Sequence, residues 1–215
     1  MKGLAGDGAL RSDLAFPYRV YRPTDANHET LVLLHGSGVD ETTLVPLARE
    51  IAPRAILIAV RGRIAQDGGM RWFTRITPTS FEQQSIRTEA AAFAAFIGAF
   101  TKQHGLDLSR TAFLGYSNGA NLISSVMLLN PGVIAHAVLL RAMPVLDEVP
   151  AADLSKAEVL VITGVADVTY APFAPSLVAV LREHGAQVDD RTVASGHEFG
   201  AEDASIVRSW LARRA

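Results

Sequence analysis

The sequence predicts a single α/β domain with a mostly parallel central sheet and helices on both faces. Short, wholly apolar runs alternate along the chain with longer segments of helical period, and polar or glycine-rich turns follow the runs at their carboxyl ends. A strand buried on both faces reads as an unbroken apolar run, and parallel neighbours need a crossover connection such as a helix. Size agrees, because 215 residues suit one domain. No repeat, low-complexity segment or composition break divides residues 1–215.

The elements follow in order. Leu14–Tyr21 is expected as a first strand, and Pro17 within it argues for a sheet edge. Thr30–Leu34 (TLVLL) is a buried strand ending in His35-Gly36-Ser37-Gly38, and a helix is expected over 42–51. Ala55–Val60 is the next buried strand. The stretch 63–79 shows no clean period and is read as a long loop, the kind that usually carries function. From Phe81 to Gln103, apolar residues recur at Ile86, Ala90, Phe93, Ile97 and Phe100, which places them on one face of a helix. Thr111–Leu114 is a strand followed by a helix over 118–129, which Asn130-Pro131 stops. Strands over 133–140, 159–163 and 187–193 complete the sheet, with helices over 174–183 and 199–213 after the last two.

Composition narrows the function classes. Hydrophobic residues at 49% and charged residues at 20% describe a globular chain, not a disordered one. A formal charge of −2, with basic residues dispersed, provides no field for nucleic acid or an anionic membrane. The absence of cysteine excludes disulfides, thiolate catalysis and cysteine-ligated metal. The first residues lack the apolar core of a signal peptide, and the longest apolar stretch, 90–100, is too short to span a bilayer. A cytoplasmic protein without membrane insertion is expected.

Ligands of such sheets bind at the carboxyl ends of strands, so the polar residues there matter most. Gly115-Tyr116-Ser117-Asn118-Gly119 lies between a strand and a helix. A serine nucleophile must stand exposed on a sharp turn, and that turn requires nearly side-chain-free residues two before and two after it. The competing reading is a βα turn with serine as a helix cap. His197, between the last strand and last helix, is a candidate base or a surface histidine. Asp167, just past the strand at 159–163, is a candidate acid or an ordinary turn aspartate. Taken together the three are stronger, because Ser117, Asp167, His197 is the chain order of a catalytic triad on this type of sheet. The loop after the strand at 30–34 would supply one oxyanion-hole amide from Ser37, and Asn118 the other. His35 is read as structural, and His104 as a helix-end residue. His28, His136 and His184 have no partner at ligand spacing, so no metal or cofactor is expected.

With these motifs in hand, the chain resembles the phospholipase/carboxylesterase group of α/β-hydrolases, which includes acyl-protein thioesterases, and is most similar to its small bacterial carboxylesterases. The resemblance rests on Leu33–Glu41, Leu44–Ala48, Arg61-Gly62, Arg71–Arg75, Gly115–Asn121, Gly164–Asp167 and Gly196–Glu198. It implies an α/β-hydrolase fold without a large lid domain, the triad Ser117, Asp167 and His197, and the Ser37 and Asn118 amides as oxyanion hole. It also implies a homodimer. Val168-Thr169-Tyr170 departs from the aliphatic-proline sequence of relatives.

The expected activity is hydrolysis of small to medium carboxylic esters through an acyl-enzyme on Ser117. The alternatives are thioesterase or related hydrolase chemistry, or a non-catalytic ligand-binding member of the fold. Trp72, Phe73, Tyr116, Met143 and Val168 are candidate pocket residues. Arg71 or Arg75 is read either as binding an acidic acyl group or as a solvated or salt-bridged arginine.

Overall fold

One seven-stranded sheet organises the computed structural model, which describes residues 6–214; residues 1–5 and 215, the ends of the domain read from the sequence, lie outside it. The strands are β1 (Tyr18–Tyr21), β2 (Thr30–Leu34), β3 (Ile56–Val60), β8 (Thr111–Tyr116), β9 (His136–Leu140), β10 (Glu158–Gly164) and β11 (Gln187–Val193). Their order across the sheet is β1-β3-β2-β8-β9-β10-β11, and only β1 runs antiparallel. β1 lies at an edge, as Pro17 argued. At the other edge β11 presents Asp189, Asp190 and Arg191, charges of the kind that blunt edge-to-edge pairing.

Side-chain alternation splits the core in two. Val32, Leu34, Ile58, Val60, Phe113, Leu139, Val159 and Val161 pack on one face with helices α2 (Gln83–His104), α3 (Asn118–Leu129) and α4 (Ala174–Glu183). Leu31, Leu33, Leu57, Ala59, Leu114, Leu140, Leu160 and Ile162 pack on the other with α1 (Val45–Ile51) and α5 (Ala201–Ala212). The period of two along each strand produces this division directly. The first face is centred on aromatics: the Phe93 ring meets Phe16, Trp72, Phe96 and Phe113 at centroid distances of 5.6, 5.8, 5.8 and 6.4 Å.

β1 begins at Tyr18 rather than Leu14 and β9 at His136 rather than Val133, and two further segments differ from their sequence expectations. α1 starts at Val45 instead of Thr42, because Asp40 takes the Thr42 N–H and hydroxyl into a tight turn and Pro46 then sits in the first helical turn. The stretch 63–79 is not an irregular loop. It holds two antiparallel ribbons, β4 (Ile64–Gln66) with β5 (Gly69–Arg71), and β6 (Arg75–Thr77) with β7 (Ser80–Phe81). Asp67 and Gly68 join the first ribbon with φ of 55° and 76°, the backbone that a two-residue hairpin demands at both positions.

Truncation at the centre of the aromatic cluster should be costly. Phe93→Ala is expected to lower the unfolding free energy by about 3–5 kcal/mol, whereas Ile76→Ala, at an exposed ribbon position, should stay within about 0.5 kcal/mol. Urea denaturation of the two variants checks the contrast.

Candidate active site

The turn between β8 and α3 is strained where the sequence placed its serine. Ser117 adopts φ 50° and ψ −114°, a backbone that non-glycine residues rarely hold. Its N–H donates to the Leu140 carbonyl at 2.8 Å, which fixes the turn to the neighbouring strand. The flanking glycines are steric necessities. A Cβ on Gly115 would lie 2.6 Å from the Ala120 backbone, and one on Gly119 would clash with the carbonyls of Leu34 and His35.

Three strand ends converge at this turn. Ser117 Oγ lies 3.0 Å from His197 Nε2, and His197 Nδ1 lies 2.6 Å from Asp167 Oδ2. Asp167 is buried, and its other oxygen accepts the N–H groups of Thr169 and Tyr170 at 3.2 and 3.0 Å. Those donors hold the carboxylate in one orientation, so Oδ2 faces the imidazole. The Tyr116 and Tyr170 rings contact the His197 ring at centroid distances of 5.4 and 4.8 Å. Tyr116 also donates its hydroxyl to the His197 carbonyl at 3.2 Å.

The sequence reading missed the residue that holds the histidine loop. Arg141 follows β9 with φ 55° and is buried. Its guanidinium pairs with buried Asp203 at the start of α5 and donates to Gly196 O at 2.9 Å, Ser195 Oγ at 2.9 Å and Glu198 O at 2.7 Å. Asp203 also accepts the Gly200 N–H at 2.8 Å. One planar cation thus ties together the backbone on both sides of His197 and the helix after it. Arg141 and Asp203 are 62 residues apart, so no local pattern signals them.

The loop after β2 is fixed from below. Gly62 N–H donates to His35 Nε2 at 3.0 Å, so Nε2 is unprotonated and Nδ1 donates to the Gly36 carbonyl at 2.6 Å. Burial, the larger effect, lowers the His35 pKa, and the Gly36 carbonyl only partly offsets it, in keeping with a neutral ring. Glu41, buried on the same loop, bridges Arg19 and Arg61. Burial pushes its carboxyl up, but the hydrogen bonds from Arg61 and Arg19 outweigh this and hold it below the usual carboxylate value. Neither the Ser37 nor the Asn118 backbone N–H meets an acceptor among the described residues.

The cleft at Ser117 is lined by Ser37, Asn118, Asn121, Met143, Tyr170, Phe81, Pro78 and the arginines Arg71, Arg75 and Arg141. Of the pocket residues expected from sequence, only Met143 lines it. Trp72 and Phe73 are fully buried: Trp72 donates Nε1–H to the His35 carbonyl and stacks in the aromatic core, and Phe73 packs on Phe81. Both rings lie between the two ribbons and face the aromatic core. Tyr116 is engaged by His197, and Val168 is 87% exposed outside the cleft. A larger cavity, about 140 Å³ against about 20 Å³, lies at the opposite end of the sheet beside Thr30, Thr111 and His136. Those are the amino ends of parallel strands, where open α/β sheets do not place their ligand sites.

A strained serine turn after β8, an aspartate loop after β10 and a histidine loop after β11, in that chain order, define the α/β-hydrolase class. The chain belongs to the phospholipase/carboxylesterase family, whose model matches residues 17–198. It is 61% identical to a carboxylesterase from Mesorhizobium loti, with a TM-score of 0.93 over 95% of this chain and 98% of that one. A carboxylesterase from Bacillus cereus shares the fold at 24% identity and a TM-score of 0.89, covering 94% of this chain and 96% of that one. The Bacillus subtilis (strain 168) protein MhqD is 29% identical over 185 residues, 84% of this chain and 90% of that protein. The chain is therefore a hydrolase. No helix among the described residues is long and apolar enough to cross a membrane.

Two outcomes follow from the supports of the site. Asp203→Asn strands the buried Arg141 cation and should cost about 3–5 kcal/mol in urea unfolding, with lower kcat/KM as the His197 loop loosens. Because folding depresses the His35 pKa, its stability contribution is full above the ordinary value of about 6.5 and is lost as pH falls toward the folded value. The stability advantage of wild type over His35→Gln, measured at pH 7.5 and 5, should shrink at the lower pH.

Proposed function

We propose that this hydrolase is a serine carboxylesterase that forms an acyl-enzyme on Ser117. One observation supports it above the others: Ser117 Oγ, the His197 ring and Asp167 Oδ2 form a continuous hydrogen-bonded relay with legs of 3.0 and 2.6 Å. In the first half-reaction Ser117 Oγ attacks the ester carbonyl while its proton passes to His197 Nε2. Asp167 accepts from Nδ1–H, which sets the tautomer and stabilises the imidazolium. The Ser37 and Asn118 amides donate to the oxyanion. Collapse of the tetrahedral species expels the alcohol, which takes the proton from Nε2. Water then attacks the acyl carbon, giving its proton to His197, and the second collapse releases the acid and returns the proton to Ser117. Both halves of the reaction move their protons through His197, and water is the co-reactant of the second.

The cleft is short and no lid domain covers it among the described residues, which favours small and medium esters over long acyl chains. A fluorophosphonate should label Ser117 and no other serine, as read by mass spectrometry of the intact and digested protein. Label on Ser37, or none on folded protein, would remove the reading. Asp167→Asn should lower kcat/KM on a p-nitrophenyl ester by roughly three to four orders of magnitude. Asp153→Asn, on an exposed turn bonded to Ser155, should leave it near wild type.

A further inference from the structure

We propose that the cleft beside Ser117 recognises a carboxylate on the substrate, with the Arg71 guanidinium as its counter-ion. This rests on the esterase reading and names a substrate class for it: esters bearing an acidic group on their acyl or alcohol part.

Arg71 is the anomaly among the arginines of this region. It is 3% exposed, yet among the described residues no carboxylate pairs with it. Its one hydrogen bond runs from Nε to the Phe73 carbonyl at 3.4 Å, the outer limit for such a bond. Its neighbours are provided for. Arg141 is paired with Asp203, Arg75 with Asp67 at 2.6 Å, Arg63 with Glu89 at 2.8 Å, and Arg19 and Arg61 share Glu41. Burial works against the Arg71 charge, the Arg75 cation adds to that effect, and Asp67 and Tyr170 at longer range offset only part of it. A guanidinium keeps its proton in proteins, so an unpaired buried one is costly unless an anion meets it.

A second donor points the same way. Asn118 Nδ2 is buried without an acceptor, and Asn118 as a whole is 2% exposed. The amide orientation is settled by chemistry, since Oδ1 accepts the Trp72 N–H at 2.8 Å and only an oxygen can do so. Arg71 and Asn118 both line the cleft that contains Ser117. Their unused donors match an acceptor-only group, and the planar fork of a guanidinium matches a carboxylate two bonds at a time.

The cation is also preorganised. A Cβ on Gly62 would clash with the Arg71 carbonyl, and Gly69 abuts the Gly38 backbone closely enough that its own Cβ would lie 2.5 Å away. Gly38 N–H donates to the Met70 carbonyl at 3.0 Å. Arg71 therefore stands on backbone held on both sides, and its guanidinium meets substrate without first ordering a loop.

Two matched ester pairs test this on wild type, Arg71→Met and Arg71→Lys. Mono-p-nitrophenyl adipate is compared with p-nitrophenyl isooctanoate, in which an isopropyl group replaces the carboxylate. On the alcohol side, p-acetoxybenzoate is compared with p-isopropylphenyl acetate. Wild type should favour the acidic member of at least one pair by about tenfold or more in kcat/KM, less so in high salt. The pair that shows it identifies the side of the ester that carries the acid. The ratio should fall toward one in Arg71→Met and be partly kept in Arg71→Lys. If Arg71→Met does not fold, the wild-type ratios and Arg71→Lys still decide the matter. Ratios near one in both pairs of wild type, or a preference that survives Arg71→Met intact, overturn the proposal. With neutral esters turned over and Ser117 labelled, that result leaves the esterase reading standing. No turnover of any of the four esters and no label on Ser117 would overturn both.

Discussion

The buried Arg141–Asp203 pair holds the working end of this molecule together. The loop that carries His197 is held by the Tyr116 and Tyr170 rings, by the Tyr116 hydroxyl on the His197 carbonyl and by the Ala166 N–H on the Ser195 carbonyl, and its remaining carbonyls fall to Arg141. Arg141 gathers the Gly196 and Glu198 carbonyls and the Ser195 hydroxyl, then ties them to the first turn of α5. Its position after β9 places it between the serine strand and the aspartate strand. The left-handed backbone at Arg141 is the local strain accepted for that placement. This clamp acts with Asp167 and the Tyr116 hydroxyl to fix the origin of the 3.0 Å leg from His197 to Ser117.

A second set of constraints surrounds the loop after β2, and it is polar where the sheet is apolar. His35, neutral and buried, accepts from Gly62, and Trp72 donates to the His35 carbonyl while its own N–H reaches Asn118. Glu41 draws Arg19 and Arg61 onto the same loop. These groups fix the backbone that carries the Ser37 and Asn118 N–H groups beside Ser117, as the proposed oxyanion hole requires, because its donors must be set before the charge develops.

Much of this was legible in the residues. TLVLL at 30–34 and the helix at 118–129 are where pattern placed them, since burial on both faces and a proline stop leave little ambiguity. The three residues now in hydrogen-bond contact at the strand ends were marked by chain order and by the glycines around Ser117. What was not legible depends on distance or on inward rotation. Arg141 meets partners more than fifty residues away. Trp72 and Phe73 sit in a segment that reads as a loop, yet they face the core, and the hairpin signal in Asp67-Gly68 was the clue that this segment is folded back on itself. Arg71 and Arg75 look equivalent on paper, and only Asp67 beside one of them separates their roles.

The ribbon β4–β5 joins two properties that enzymes often keep apart. It presents the wall of the cleft through Arg71, and through Met70 and Trp72 it is bonded to the Ser37–Gly38 loop and to the residue after the nucleophile. On the proposed mechanism, the surface that would sort substrates and the frame that would receive the oxyanion share one short piece of backbone, so a change that shifts this ribbon to suit another substrate would also move the frame around Ser117.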